Sequence, residues 1–201
     1  GVWLDTENGM RLDILDGFKP NQGAVLVIRK LGDTSIGHWQ LSNGEFVLKL
    51  NFSKRPVKFL SATQFSIRDQ VFTRKEEFSD SQVVTLKGDE SGFIQRLTSL
   101  RWTTSKEGGA AIFKSTFAND SGVAEFYDAK GKLQNLTTWG ISSNVLRIGN
   151  TTLVEARASQ TYLVGLSDRD RFTIYRASAS LAPSVRTSLD KQRKAFLDAL
   201  D

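Results

Sequence analysis

Phe18-Lys-Pro-Asn-Gln-Gly23 returns 99 residues later as Phe117-Ala-Asn-Asp-Ser-Gly122. Each stretch links two apolar runs through turn-forming residues and ends on glycine. Asn, Asp and Gly tolerate the left-handed backbone that tight hairpin turns require. The repeat spreads outward from these turns. A spacing of 99 also relates Trp3 to Trp102, Gly9 to Gly108 and Gly32 to Gly131, and a spacing of 100 relates Trp39 to Trp139. Trp39-Gln-Leu-Ser matches Trp139-Gly-Ile-Ser, and Val47-Leu-Lys-Leu50 matches Val145-Leu-Arg-Ile148. Arg68-Asp-Gln-Val-Phe-Thr-Arg74 resembles Arg169-Asp-Arg-Phe-Thr-Ile-Tyr-Arg176. Rare residues and turn residues keep nearly one offset throughout, which identifies an internal duplication.

Within each copy the apolar segments are short and separated by turn residues, the pattern of strands. The first copy places strands at residues 11–15, 24–30, 37–41, 46–50, 57–61, 64–67 and 71–75, with one more around Trp3. The second places them at 110–117, 123–128, 137–141, 145–148, 153–158, 162–166 and 172–176, with one around Trp102. Alternation in Phe46-Val-Leu-Lys-Leu50 and Phe172-Thr-Ile-Tyr-Arg176 suits strands with one wet face. So many short strands in sequence form an antiparallel meander, whose edges stay unpaired unless it closes or stacks. The expected fold is all-β: two tandem meander units, each a small barrel or sandwich, with a C-terminal α-helix. A single larger barrel pooling both sets of strands is the alternative. The units span residues 1–76 and 101–177, joined by residues 77–100, where 83–86 and 93–97 read as two more strands. The counterpart of this joining stretch for the first copy would precede Gly1. Residues 178–201 hold an Ala/Ser-rich joint and a helix from an N-cap at Ser184 through Leu200. Its stripe of Val185, Leu189, Phe196 and Leu200 is expected to pack on a barrel.

The 201 residues are 39% hydrophobic, with 13 Phe and 4 Trp, which supplies a bulky core and argues against disorder. No cysteine is present, so disulfides, thiolate metal sites and a cysteine nucleophile are excluded. No apolar run reaches the roughly 18 residues that span a bilayer. A chain opening at Gly1, already inside a Gly-Val-Trp pattern, reads as a mature or trimmed form. The net charge is +5, but both signs are interspersed in every region, as on an ordinary solvated surface.

Each copy resembles the short lipocalin-like domains of the calycin kind. Gly1-Val2-Trp3 matches the Gly-x-Trp of that family's first strand, and Arg74 matches the last-strand arginine that packs over the tryptophan ring. The second copy offers Trp102 and Arg176, with Leu100 where the family has glycine. The Phe-x4-Gly turn and the later Trp-x-Leu/Ile-Ser also match. The resemblance implies a structural Trp–Arg pair in each copy, worth roughly 0.5–2 kcal/mol, and the capacity to carry a small apolar ligand.

The search for chemistry gives little. His38, the only histidine, stands on a strand without cysteines to share a zinc ion. A serine triad would need it as base, yet no Gly-x-Ser-x-Gly elbow occurs. Asp13, Asp16, Glu125 and Asp128 are the carboxylates that glycoside hydrolysis could recruit, and they read as strand and turn residues. Lys54-Arg-Pro-Val-Lys58, between Phe52 and Phe59, has the cation–aromatic mixture of a single-stranded nucleic-acid binder. It also describes a strand with Phe inward and Lys outward, which is the expectation here. Asn51, Asn119, Asn135 and Asn150 each begin an Asn-x-Ser/Thr pattern. No catalytic, cofactor or metal residues are expected, and no ligand-binding residue is assigned. The expected function is non-enzymatic: a binding or assembly protein of a bacterial envelope or the extracellular space, acting through contacts with another protein. A carrier of a small apolar ligand is the first rival, and a nucleic-acid binder the second.

Overall fold

The computed structural model describes residues 1–30, 33–50, 53–76, 83–103 and 109–178, and the helix expected over 184–200 lies outside them, as does Phe52. The chain forms two units that part between Ser81 and Gln82. Each contains its own antiparallel sheet, so the two copies do not pool their strands.

The first sheet comprises β1 (Val2–Asp5), β2 (Met10–Asp16), β3 (Gln22–Ile28), β4 (Thr34–Ser42), β5 (Glu45–Leu50), β6 (Ser53–Pro56), β7 (Lys58–Ser61), β8 (Gln64–Ile67) and β9 (Gln70–Glu76). Each strand pairs with the next from β1 to β6, and β9 returns to pair with β1. The two ends of the sheet belong to one bent stretch of chain. β6 pairs with β5, β7 pairs with β8, and only Val57 lies between. Val57 N–H donates to Phe46 O at 2.9 Å. Pro56, which has no N–H for the ladder, marks the bend. The sheet thereby curls into a nearly closed barrel.

The second unit begins with β10 (Val84–Thr85) and the helix α1 (Glu90–Ser99). Then follow β11 (Arg101–Thr103), β12 (Ala110–Ala118), β13 (Ser121–Tyr127), β14 (Leu133–Ser142), β15 (Val145–Ile148), β16 (Thr151–Ala158), β17 (Tyr162–Ser167) and β18 (Phe172–Ser178). β11 through β18 pair in sequence, and β18 pairs with β11, so the ring closes. Its pairing order repeats that of the first unit, with β16 in the place of the bent β6–β7. Closure leaves no free strand edge around the ring.

Residues 93–97, expected as a strand, form part of α1. The local chemistry explains the difference. Asp89 caps the helix by accepting from Gly92 N–H at 2.9 Å. Phe93 and Leu97, four residues apart, then fall on one helical face, and both are buried. α1 packs on β10, β12 and β16 and closes the barrel end formed by the β12–β13, β14–β15 and β16–β17 hairpins. Phe93, Leu97 and Leu86 join Trp102, Phe113 and Trp139 in one core.

The repeated tryptophans and glycines explain each other. Trp39 on β4 stands opposite Gly23 on β3, and its indole Nε1–H crosses that strand to donate to Leu15 O of β2 at 2.7 Å. Trp139 stands opposite Gly122, and its indole donates to Lys114 O at 3.0 Å. A Cβ on Gly23 would collide with Leu15 O and the Trp39 ring, and one on Gly122 with Lys114 O and Thr116 N. The glycines are therefore spaces that let an indole or a neighbouring strand come close.

The ladder also corrects one sequence match. Trp39 pairs with Leu48 and Trp139 with Ile148, so those two residues are equivalent, at a spacing of 100. Matching Val47 to Val145 instead follows the far end of the strand. β5 has 6 residues and β15 has 4, which accounts for the slip of two.

Gly23→Ala and Gly122→Ala should each destabilise the protein by about 1–3 kcal/mol in urea denaturation, through backbone collision. Gly140→Ala is the control, since its Cβ would lie 3.5 Å from Ser121 Cβ, an ordinary contact, and should change stability by less than about 1 kcal/mol.

Candidate functional site

Among the described residues, the end of the second barrel away from α1 holds a cavity. Interior-facing positions on β13, β14, β15, β16 and β18 converge there, because alternate residues of a strand share a face. Phe126, Asn135, Thr137, Ile148, Thr151 and Tyr175 line a cavity of about 460 Å³, with Gly149 and Asn150 at the β15–β16 turn completing it. Small-molecule sites commonly fall in this size range. Eight strands enclose just enough space for side chains or one small ligand.

All of the lining residues are uncharged. Asn135 and Asn150 each offer an amide donor and acceptor, and Thr137, Thr151 and Tyr175 offer hydroxyls. Phe126 and Tyr175 pack against the core below and present ring surface. Burial raises the Tyr175 phenol above its ordinary pKa, so the hydroxyl stays protonated and can donate at neutral pH. The site can therefore make neutral hydrogen bonds and ring contacts.

Two of the Asn-x-Thr patterns gain a spatial meaning. Asn135 and Thr137 are two apart on β14, hence on one face, and both look into the cavity. Asn150 belongs to the same mouth through the adjoining turn. Phe126, Ile148 and Tyr175 carried no sequence signal, because only barrel closure brings them together.

The residues considered for chemistry are scattered among structural duties. Asp13 is buried and bonded by Arg11 Nε at 2.6 Å. Glu125 is buried, lies 3.1 Å from Lys114 Nζ and accepts from Tyr127 OH at 2.7 Å. Asp128 caps the β13–β14 loop, accepting from Lys130 N–H and Lys132 N–H, both at 2.9 Å. The bond from Lys132 is the main cause that lowers its pKa. Asp16 ends β2 at the surface. His38 lies on β4 opposite Lys49. Among the described residues, no group of three or more His, Asp or Glu is placed to hold a metal ion.

The Trp–Arg pairs divide. Arg74 stands opposite Trp3 with its guanidinium carbon 5.6 Å from the ring centre. Arg176 stands opposite Thr103, while Ala177 faces Trp102. A one-residue offset moves a side chain to the other face of a strand. Trp102 is fixed instead by α1, donating its indole N–H to Leu97 O at 2.9 Å. In the basic cluster, Val57 packs inward and Lys54 and Lys58 face water. Phe59, expected inside, is 56% exposed while still touching Phe46 and Phe65.

No protein-family model, curated protein or solved structure matches this chain.

His38 supplies a pH test. Burial, and then the Lys49 charge, lower its pKa in the folded state. As pH falls below about 6.5, the unfolded chain binds a proton that the folded chain binds less readily, so stability declines. The urea midpoint should fall between about pH 7.5 and pH 5, and His38→Gln should flatten part of that slope. An identical slope in the variant would contradict the assignment.

Proposed function

We propose that the protein is a non-enzymatic binding protein whose second barrel holds a small, uncharged, hydrogen-bonding ligand at its open end. The observation that carries this reading is the roughly 460 Å³ mouth lined by amides, hydroxyls and two aromatic rings. A charged ligand would lose its hydration there without meeting a counter-charge among the described lining residues. A wholly apolar ligand would leave the Asn, Thr and Tyr groups without partners, at roughly 1–3 kcal/mol for each one buried. A polyol or sugar-like molecule satisfies both conditions, with its hydroxyls on the amides and its C–H face on Phe126 or Tyr175. The closed ring of strands is compatible with the lipocalin-like resemblance, and the polar lining favours a more polar ligand than that resemblance implies.

The test is an NMR titration of the whole chain against neutral mono- and oligosaccharides and polyols. Binding should shift signals of Phe126, Thr137 and Tyr175. Asn135→Leu together with Thr137→Val should weaken it by about 10–100-fold, through the loss of two or three hydrogen bonds. Tyr175→Phe should weaken it by about 3–10-fold while leaving the fold intact. No shift from any neutral hydroxylated compound, or shifts that the double variant leaves unchanged, would refute the proposal.

A further inference from the structure

Charge is segregated on one sheet face of the first unit. Residues 46–67 carry Lys49, Lys54, Arg55 and Lys58 and no Asp or Glu, which is four of the chain's five net positive charges. The ladder lines three basic residues up. His38 on β4 pairs with Lys49 on β5, and Lys49 pairs with Lys54 on β6. Directly paired residues share a face, and this face is the outer one, because the chain neighbours Trp39 and Leu48 point into the core. Strands lie roughly 4.8 Å apart, so the row is about 10 Å long. Lys58, paired with Ser66 on β8, faces water just beyond the bend.

Folding alone gives no reason for this row. Like charges directly opposite each other on a sheet are destabilising. Among the described residues, Lys49, Lys54 and Lys58 form no salt bridge. The strands β4, β5 and β6 carry one carboxylate, Glu45, which pairs with Ser42 four residues along β5 from Lys49. Lysines on an edge strand keep sheets from pairing with one another. That duty accounts for Lys54 and Lys58, but Lys49 lies inside the sheet, between β4 and β6. The row also starts with a ring rather than a third cation. Burial, and then the Lys49 charge, lower the His38 pKa, so at neutral pH the imidazole is an uncharged planar face beside two ammonium groups.

We infer that the outer face of β4, β5 and β6 binds single-stranded nucleic acid, with phosphates on Lys49 and Lys54 and a base stacked on the His38 ring. Cations that follow a phosphate backbone, next to a ring that stacks a base, are the two elements of sequence-tolerant single-strand binding. Lys58 extends the phosphate track past the bend. A sulfated polysaccharide would engage the lysines, but it offers the imidazole no flat partner. The face belongs to the first unit, so the inference is independent of the ligand proposed for the second.

The probe is a fluorescein-labelled oligothymidylate of about 15 nucleotides, titrated with the full chain and read by fluorescence anisotropy. Binding should be seen at roughly 50 mM salt and fall as salt rises, with a log–log slope of about −2 for three phosphate contacts. Lys49→Gln should reduce that slope by about 0.7, and Lys49→Gln with Lys54→Gln should weaken binding at least about tenfold. Lys130→Gln with Lys132→Gln removes the same charge from the second unit and should leave binding nearly unchanged. His38→Ala should weaken it about fivefold or more, and His38→Tyr, which restores a ring, should recover it. Matching thermal melting of the variants reports an intact fold. No binding at low salt, equal losses from the two lysine pairs, or indifference to His38→Ala would overturn the inference. Equal affinity for a duplex of the same length would overturn it too, as would tighter binding to heparin or to phosphatidylserine vesicles than to the oligonucleotide.

Discussion

An indole laid across a glycine holds both barrels together. Trp39 reaches from β4 over Gly23 of β3 to the Leu15 carbonyl of β2, and Trp139 does the same over Gly122 to Lys114. One side chain thereby ties three consecutive strands into a single register. A slip of one residue would turn every side chain of a strand to the opposite face. It would also put a side-chain Cβ where the indole must pass. The brace sits beside the β2–β3 and β12–β13 hairpins, so turn and register are specified together. Ring closure follows from the register, through the bent β6–β7 stretch in one unit and through β16 in the other.

On this shared plan the two units finish their ends differently. Trp3 carries the Arg74 guanidinium over its ring, whereas Trp102 is locked beneath α1 by a bond to Leu97 O. Both arrangements fix the opening strand, the first with a cation and the second with a helix. The helix seals one end of the second barrel and leaves the opposite end as a polar mouth. In the first unit the end equivalent to the sealed one shows Leu41, Phe46 and Phe59 to solvent. The proposed ligand site rests on that polar mouth.

Most of the fold was legible in the sequence. Turn residues at fixed spacing and period-two alternation placed nearly every strand, because a hairpin meander is specified locally. The helix α1 was misread, since Phe93-Ile-Gln-Arg-Leu97 alone suits either period. Asp89 and Gly92 hold the capping signal that decides it. The face of Arg176 was misjudged because similar motifs do not reveal a one-residue difference in ladder position. The cavity was not legible at all. Its residues come from five strands, and no local pattern distinguishes a residue facing a void from one facing packed side chains. Asn135 and Thr137 left the only trace, as an i, i+2 polar pair that a strand turns to one side.

The central claim is that one braced barrel plan occurs twice, with one end covered by a helix in the second unit and, among the described residues, by none in the first. Hydrogen exchange of the four indole N–H groups tests it most directly. Trp39 and Trp139 make the same bond to the same position of the neighbouring hairpin. The account predicts that Trp139 and Trp102 exchange slowly, and that Trp39 exchanges clearly faster than Trp139 because no helix of the described residues covers it. Equal rates for Trp39 and Trp139 would contradict it.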